Sequence, residues 1–418
     1  MSIKNLLIRN SFITIFISII FYNLMKKRFG DKNWFRLLSF IYFLIVFLSE
    51  LIVWDYILFG GHFWIDAENI FLQSFYFIYI FIKLSLFLTF PVFLGFALYR
   101  IINYFIKKNY DFKNEKIIEN VESSYPRKEF LKKSLLLTGG ILEVSPAIGT
   151  LGFISTMIMG SNEIVTEKIA IQIPNLHSDL KGYKIIQISD IHIGPSISDK
   201  YLEYCLDIIR NLKADMVVIT GDLIDISNYY IPRVGNFIYK LKSFFKNKIK
   251  FISGNHEYFD HGEYFFNRID SEDILFLRNS HVEISRGKGG LNLIGLDYPW
   301  PHRMISPERI FKSKQFYKNA TSKMNFENPS ILLNHDPADF IWLKDEAVDL
   351  VLSGHTHGGH VKFTDERESI LSPLSLIFKY YNGYYKEGKS QLYVNRGMGN
   401  TFPIRLKCPP EITLIELI

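Results

Sequence analysis

Cysteine is nearly absent from this 418-residue chain: Cys205 and Cys408 are the only two. Two cysteines cannot build a disulfide framework and argue against a thiolate metal site, so any metal must be held by His, Asp and Asn. Internal repeats and low-complexity segments are also missing. The formal charge is +6, but no dense Lys/Arg cluster with interleaved aromatics occurs after about residue 160. That absence argues against a nucleic-acid partner. Much of the positive bias sits instead beside long apolar runs.

Those runs dominate the first third of the chain, within an overall composition of 48% hydrophobic and 16% aromatic residues. Residues 10–25 carry no charge and end at Lys26-Lys27-Arg28. Further runs cover 37–54, interrupted by Glu50, and 69–99, interrupted by Lys83; a fourth, 134–160, contains Gly, Ser, Pro and Glu143. These lengths predict about four transmembrane helices over 1–160. Residues 161–418, mixing charges with turn residues, read as a second, globular domain. Basic residues stay on the cytoplasmic side. The loop 55–68 has none, whereas nine lie between Arg100 and Lys133 and five between Lys26 and Arg36. With four spans, the expectation is a multi-pass protein of the cell membrane whose second domain is extracytoplasmic. If 134–160 does not span, that domain is cytoplasmic. Glu50 and Lys83 read as one structural ion pair or as interfacial positions rather than a transport site.

After about residue 165 the pattern changes to short apolar runs ending in Gly, Asp, Asn or His. Runs at 184–189, 216–220, 250–253, 291–295, 330–334 and 350–353 have the length of buried strands. Residues 199–212 and 231–245 place apolar side chains at helical spacing. Alternating strand and helix argues for a largely parallel central sheet with covering helices. Polar residues just past the strand ends then converge on one crevice.

Five of the six strand ends deliver such residues. The first is followed by Asp190-Ile191-His192, with both side chains on one side of an extended backbone. The others lead to Gly221-Asp222-Leu223-Ile224-Asp225, Gly254-Asn255-His256-Glu257, Asn334-His335 and Gly354-His355-Thr356-His357. Each alone is a weak signal, but the ordered set is strong. It is rich in O and N donors and holds no thiolate, which suits Mn, Fe or Zn. Two such ions clamp the attacking and leaving oxygens of an in-line displacement, pointing to a phosphate ester as substrate.

In these motifs, and in 393–399 and 408–412, the sequence resembles the calcineurin-like metallophosphoesterases, in their membrane-associated bacterial branch. The resemblance runs from about Ile169 to Ile415 and implies an α/β fold, a four-layer αββα sandwich of two mixed sheets. Carried over by motif, it implies that Asp190, His192 and His357 bind one divalent ion, that Asn255, His335 and His355 bind a second, and that Asp222 bridges them. A bridging hydroxide would be the nucleophile, His256 the general acid, and Asp225 the carboxylate that orients it.

His360 stands where this branch usually has Gln, and Arg396 lies in a Gly-flanked loop. Both are candidate substrate contacts, His360 also an adventitious third metal ligand, with a tolerated turn substitution and a structural salt bridge as the respective alternatives. Asp336, His62, His177, His261, His281 and His302 match no motif and read as structural or surface residues. The expected activity is that of a metal-dependent phosphoric ester hydrolase. A narrower reading makes the substrate lipid-linked, such as a nucleotide-activated glycolipid or phospholipid head group, with membrane lipid as a partner. A reading of another class is a non-catalytic metal-binding membrane sensor or scaffold.

Overall fold

In the computed structural model the described residues are 164–269, 274–301, 306–360, 378–399, 405 and 407–418, together with 19, 22, 23 and 26. Apart from residues 19, 22 and 23 of the first, the four predicted spans lie outside them. Among the described residues no helix is long and apolar enough to cross a membrane.

Two six-stranded mixed sheets carry the domain. The first joins β1 (Val165–Ile171), β2 (Lys184–Ile188), β3 (Met216–Thr220), β4 (Ile249–Ile252), β5 (Ile274–Phe276) and β12 (Glu411–Leu417) in the order β1-β12-β2-β3-β4-β5. The second joins β6 (Ser280–Arg286), β7 (Gly289–Gly295), β8 (Ser330–Leu333), β9 (Leu350–Ser353), β10 (Gly383–Glu387) and β11 (Ser390–Val394) in the order β10-β11-β9-β8-β7-β6. β2 to β5 run parallel, as do β7, β8, β9 and β11, while β12 lies antiparallel to β2. The six runs predicted from sequence are β2, β3, β4, β7, β8 and β9. They divide between two sheets, which corrects the expectation of one central sheet and agrees with the two-sheet sandwich that the resemblance implies.

Strand periodicity explains the layers. Ile185, Met216, Val218 and Ile252 point between the sheets and meet Leu293, Ile331, Leu333, Leu350 and Leu352. The alternate residues Ile186, Ile188, Val217, Ile219 and Phe251 face outward to a helical layer. That layer is α1 (Asp199–Asn211), α2 (Ile231–Phe245) and α3 (Gly262–Ile269). In α1 the Ser198 side chain caps the Tyr201 N–H, and Leu202, Cys205, Leu206 and Ile209 bury one stripe. On the far side α4 (Pro307–Thr321) and α5 (Phe340–Leu343) cover Ile294, Leu332, Val351 and Leu392. A fully buried Leu or Ile contributes about 1.5–3 kcal/mol. Truncating Leu333 to Ala between the sheets is expected to cost about 2–5 kcal/mol. This sandwich brings the C-terminal ends of parallel strands from both sheets to one edge.

Candidate metal centre

Asp190 and His192 follow β2, Asp222 and Asp225 follow β3, and Asn255 and His256 follow β4; His335 follows β8, and His355 and His357 follow β9. The chain turns sharply at the β2, β3 and β9 exits. Asp190, His192, Asp222, His355 and His357 all have φ between 48° and 69°. L-residues rarely adopt that region, and they cluster in it where surrounding contacts over-determine the backbone. Gly221 permits the β3 exit with φ 93°, and a Cβ there would collide with the His335 ring and the Gly254 backbone. Gly354 is bare for a related reason: its Cβ would fall on Ser189 Oγ and Asp190.

The side chains converge in overlapping groups. Asp190, His192 and His357 place ligand atoms within 4.8 Å of one another, as do Asp222, His335 and His355, and also His192, Asp222 and His256. His192 Nε2 and His357 Nε2 are 3.0 Å apart. Asp222 Oδ2 lies 3.3 Å from His335 Nε2, 3.7 Å from His192 Nε2 and 4.0 Å from His256 Nε2. Asp222 thus stands between the first two groups. Asn255 is 8% exposed, and its side-chain oxygen has no hydrogen-bond partner. A buried orphan acceptor is costly unless a donor or cation completes it. Together with an all O- and N-donor set, it fits a divalent cation.

The electrostatics describe a site short of positive charge. Burial pushes the His256 imidazole down, but Asp222 and Asp225 outweigh it and raise it to about 9. Burial is likewise overcome at His335, where Asp222 is the largest raising influence and the ring reaches about 10. Asp222, which burial would raise, is held well below the usual carboxylate range by His335, His256 and His192. His357 is driven well below its ordinary value by burial and by the neighbouring His360, His192 and Arg405. In the metal-free protein, protons on His256 and His335 therefore supply charge that bound cations would otherwise bring.

The profile of the calcineurin-like phosphoesterase family matches residues 183–359, spanning the motifs from Asp190 to His357. That stretch of the chain is similar to the calcineurin-like phosphoesterases. A Helicobacter pylori protein called an uncharacterized metallophosphoesterase is 34% identical over 247 residues, covering 57% of this chain and 60% of that protein. The UDP-2,3-diacylglucosamine pyrophosphatase LpxG of Chlamydia muridarum is 28% identical, over 59% of this chain and 87% of the relative. A zebrafish transmembrane protein with metallophosphoesterase domain is 28% identical, over 60% of this chain and 56% of the relative. The match spans about 60% of the length of the Helicobacter protein.

Around this centre the remaining predicted residues divide. Asp225 Oδ1 lies 3.2 Å from His256 Nδ1 and 3.4 Å from His192 Nδ1. The His360 ring stacks on that of His357, with centroids 4.7 Å apart. Arg396, a candidate substrate contact, instead has its guanidinium in ion pairs with Glu167 at 2.8 Å and Glu411 at 2.7 Å. Its stem packs under Gly358. Asp336 is buried beside His355, while His281 donates to the Ala320 carbonyl and His261 is exposed. His177 caps Asp179. His62 and His302 lie outside the described residues.

Three charged residues near the site had no role assigned from sequence. The Glu257 carboxylate accepts backbone N–H groups from Asp222, Leu223, Ile224 and Gly254, tying the β3 exit to the β4 exit. Arg405, fully buried, donates to Gly397 O, Gly399 O and His357 Nδ1. Arg309, also fully buried, pairs with Asp336 and Asp339. Only the adjacency of Glu257 to His256 was a signal in the sequence.

Proposed function

We propose that this domain is a dinuclear metal-dependent phosphoesterase. The observation that carries the reading is the Asp222 carboxylate standing between two His/Asp groups, with the orphan Asn255 oxygen beside them. Asp190, His192 and His357 would hold one divalent ion; His335, His355 and Asn255 would hold the other, with Asp222 shared. When bound, the two cations neutralise phosphoryl charge and activate water at neutral pH. His256 Nε2 faces the centre beside Asp222, and its other nitrogen is fixed on Asp225. That arrangement suits proton delivery from Nε2 to a departing oxygen, with Asp225 keeping the proton on Nδ1. Hydrolysis of an aryl phosphate should depend on added Mn2+ or Zn2+ and disappear in Asp222→Asn; activity retained in that variant rejects the mechanism.

A second reading, a lipid-linked phosphodiester or pyrophosphate as substrate, is favoured by the surroundings of His256. The Phe259 ring lies 4.3 Å from the His256 ring and 5.7 Å from Trp300, which stacks parallel to Tyr258 at 5.9 Å. A departing group protonated by His256 would leave past apolar rings. The LpxG relative, named for a diacylated nucleotide-sugar substrate, supports the same direction. The apolar runs before residue 160 would confine the domain at a bilayer, multi-pass and extracytoplasmic, and the zebrafish relative is named as a transmembrane protein. Turnover of membrane-embedded substrate far above that of soluble esters is the expected result, and protease access in intact cells reports the side.

A further inference from the structure

Arg309 is 0% exposed. Its guanidinium reaches Asp336 Oδ2 at 2.8 Å and Asp339 Oδ2 at 3.2 Å, and its Cζ lies 5.4 Å from the Tyr298 ring. Burying a guanidinium is costly unless it is paired, so this trio is held in place as a unit. Asp336 is the member turned toward the metal centre. Its Oδ1 accepts the Ala338 N–H at 2.9 Å, and its backbone carbonyl accepts the Asn334 side-chain N–H at 2.6 Å.

Asp336 Oδ2 also faces His355 Nε2 at 3.7 Å. The opposite nitrogen, His355 Nδ1, lies 3.2 Å from His335 Nε2 and belongs with Asp222 and His335 to one ligand group. The ring is thus set between a carboxylate and a candidate cation site. At 3.7 Å the contact is electrostatic rather than a hydrogen bond, but because Asp336 is 3% exposed and the ring 20% exposed it still discriminates between tautomers. A carboxylate beside Nε2 favours the proton on that nitrogen and leaves the Nδ1 lone pair for a cation.

We infer that Asp336, clamped by Arg309, is a positioning residue that selects the nitrogen His355 offers to the metal. The inference rests on the reading of Asp222, His335 and His355 as one metal half-site. It also explains why a charged trio occupies a dry place where apolar packing would serve stability as well.

The test uses the full chain in detergent with 15N-labelled histidine. Two-bond 1H–15N correlations of the metal-free protein should show His355 as the Nε2–H tautomer, its signals identified by their loss in His355→Gln. In Asp336→Asn, which can still accept from Ala338, the ring should become a mixture of tautomers. Chelator-competition titration with Zn2+ should show one of two ions weakened about 10–100-fold and the other unchanged. Asp339→Asn, which leaves Asp336 in place, should keep the wild-type tautomer. A wild-type Nδ1–H tautomer overturns the inference even if Asp336→Asn does not fold. Two ions bound by Asp336→Asn as tightly as by wild type overturn it too. Wild-type protein that binds no ion overturns instead the metal reading beneath it.

Discussion

His256 Nδ1 stands 2.9 Å from the Asp225 carbonyl oxygen and 3.2 Å from its Oδ1. The same Oδ1 is 3.4 Å from His192 Nδ1. One residue therefore orients both the proposed proton donor and a proposed metal ligand. Asp225→Asn should lower the His256 midpoint from about 9, because the carboxylate that favours the charged ring is gone. A ring titration followed by NMR measures this, and an unchanged midpoint would show that Asp222 alone sets it.

Replacing His256 by Gln should separate proton transfer from the rest of the chemistry. A general acid contributes about 10²–10⁴ in rate when the leaving group needs its proton. The variant should lose that factor on an alkyl phosphate ester and far less on p-nitrophenyl phosphate, whose leaving group departs without help. Equal losses on both esters would assign His256 to metal binding, the role that its membership of the His192 and Asp222 group also permits.

Metal uptake should release protons. His335, raised to about 10 in the metal-free protein, is charged at neutral pH and must give up its proton to become a ligand. Calorimetry in buffers of different ionisation enthalpy measures the protons displaced, and a buffer-independent heat would contradict the prediction. The stability of the metal-free protein carries the matching sign. Raised folded-state values at His256 and His335 give a contribution fully present below about 6.5 and lost as pH rises through about 9 to 10. Denaturant midpoints should therefore fall over that alkaline range, with smaller losses once metals are bound.

Glu257 should matter for stability out of proportion to its distance from the chemistry. Glu257→Ala removes the acceptor of four backbone N–H groups, those of Asp222, Leu223, Ile224 and Gly254. Each buried donor left unpaired costs about 1–3 kcal/mol. Glu257→Gln keeps one oxygen and should be milder. A thermal midpoint ordered wild type, Gln, Ala, with loss of one bound ion in the Ala variant, is the expected result.

The sequence by itself determined which side chains could meet. Strands buried on both faces need continuous apolar runs, so β2, β3, β4, β7, β8 and β9 were legible, and the ligand-type residues directly follow five of them. The edge strand β6, half-exposed along its length, carries no such run. The split into two sheets and the insertion of β12 between β1 and β2 depend on pairings between distant segments, which local pattern does not encode. Arg309, Arg405, Glu257 and Asp336 read as ordinary charges because burial is a property of the packed sandwich. Only there does desolvation make their partners obligatory. The tertiary structure likewise decided the left-handed turns at Asp190, His192, Asp222, His355 and His357. No residue type announces a conformation that surrounding contacts impose.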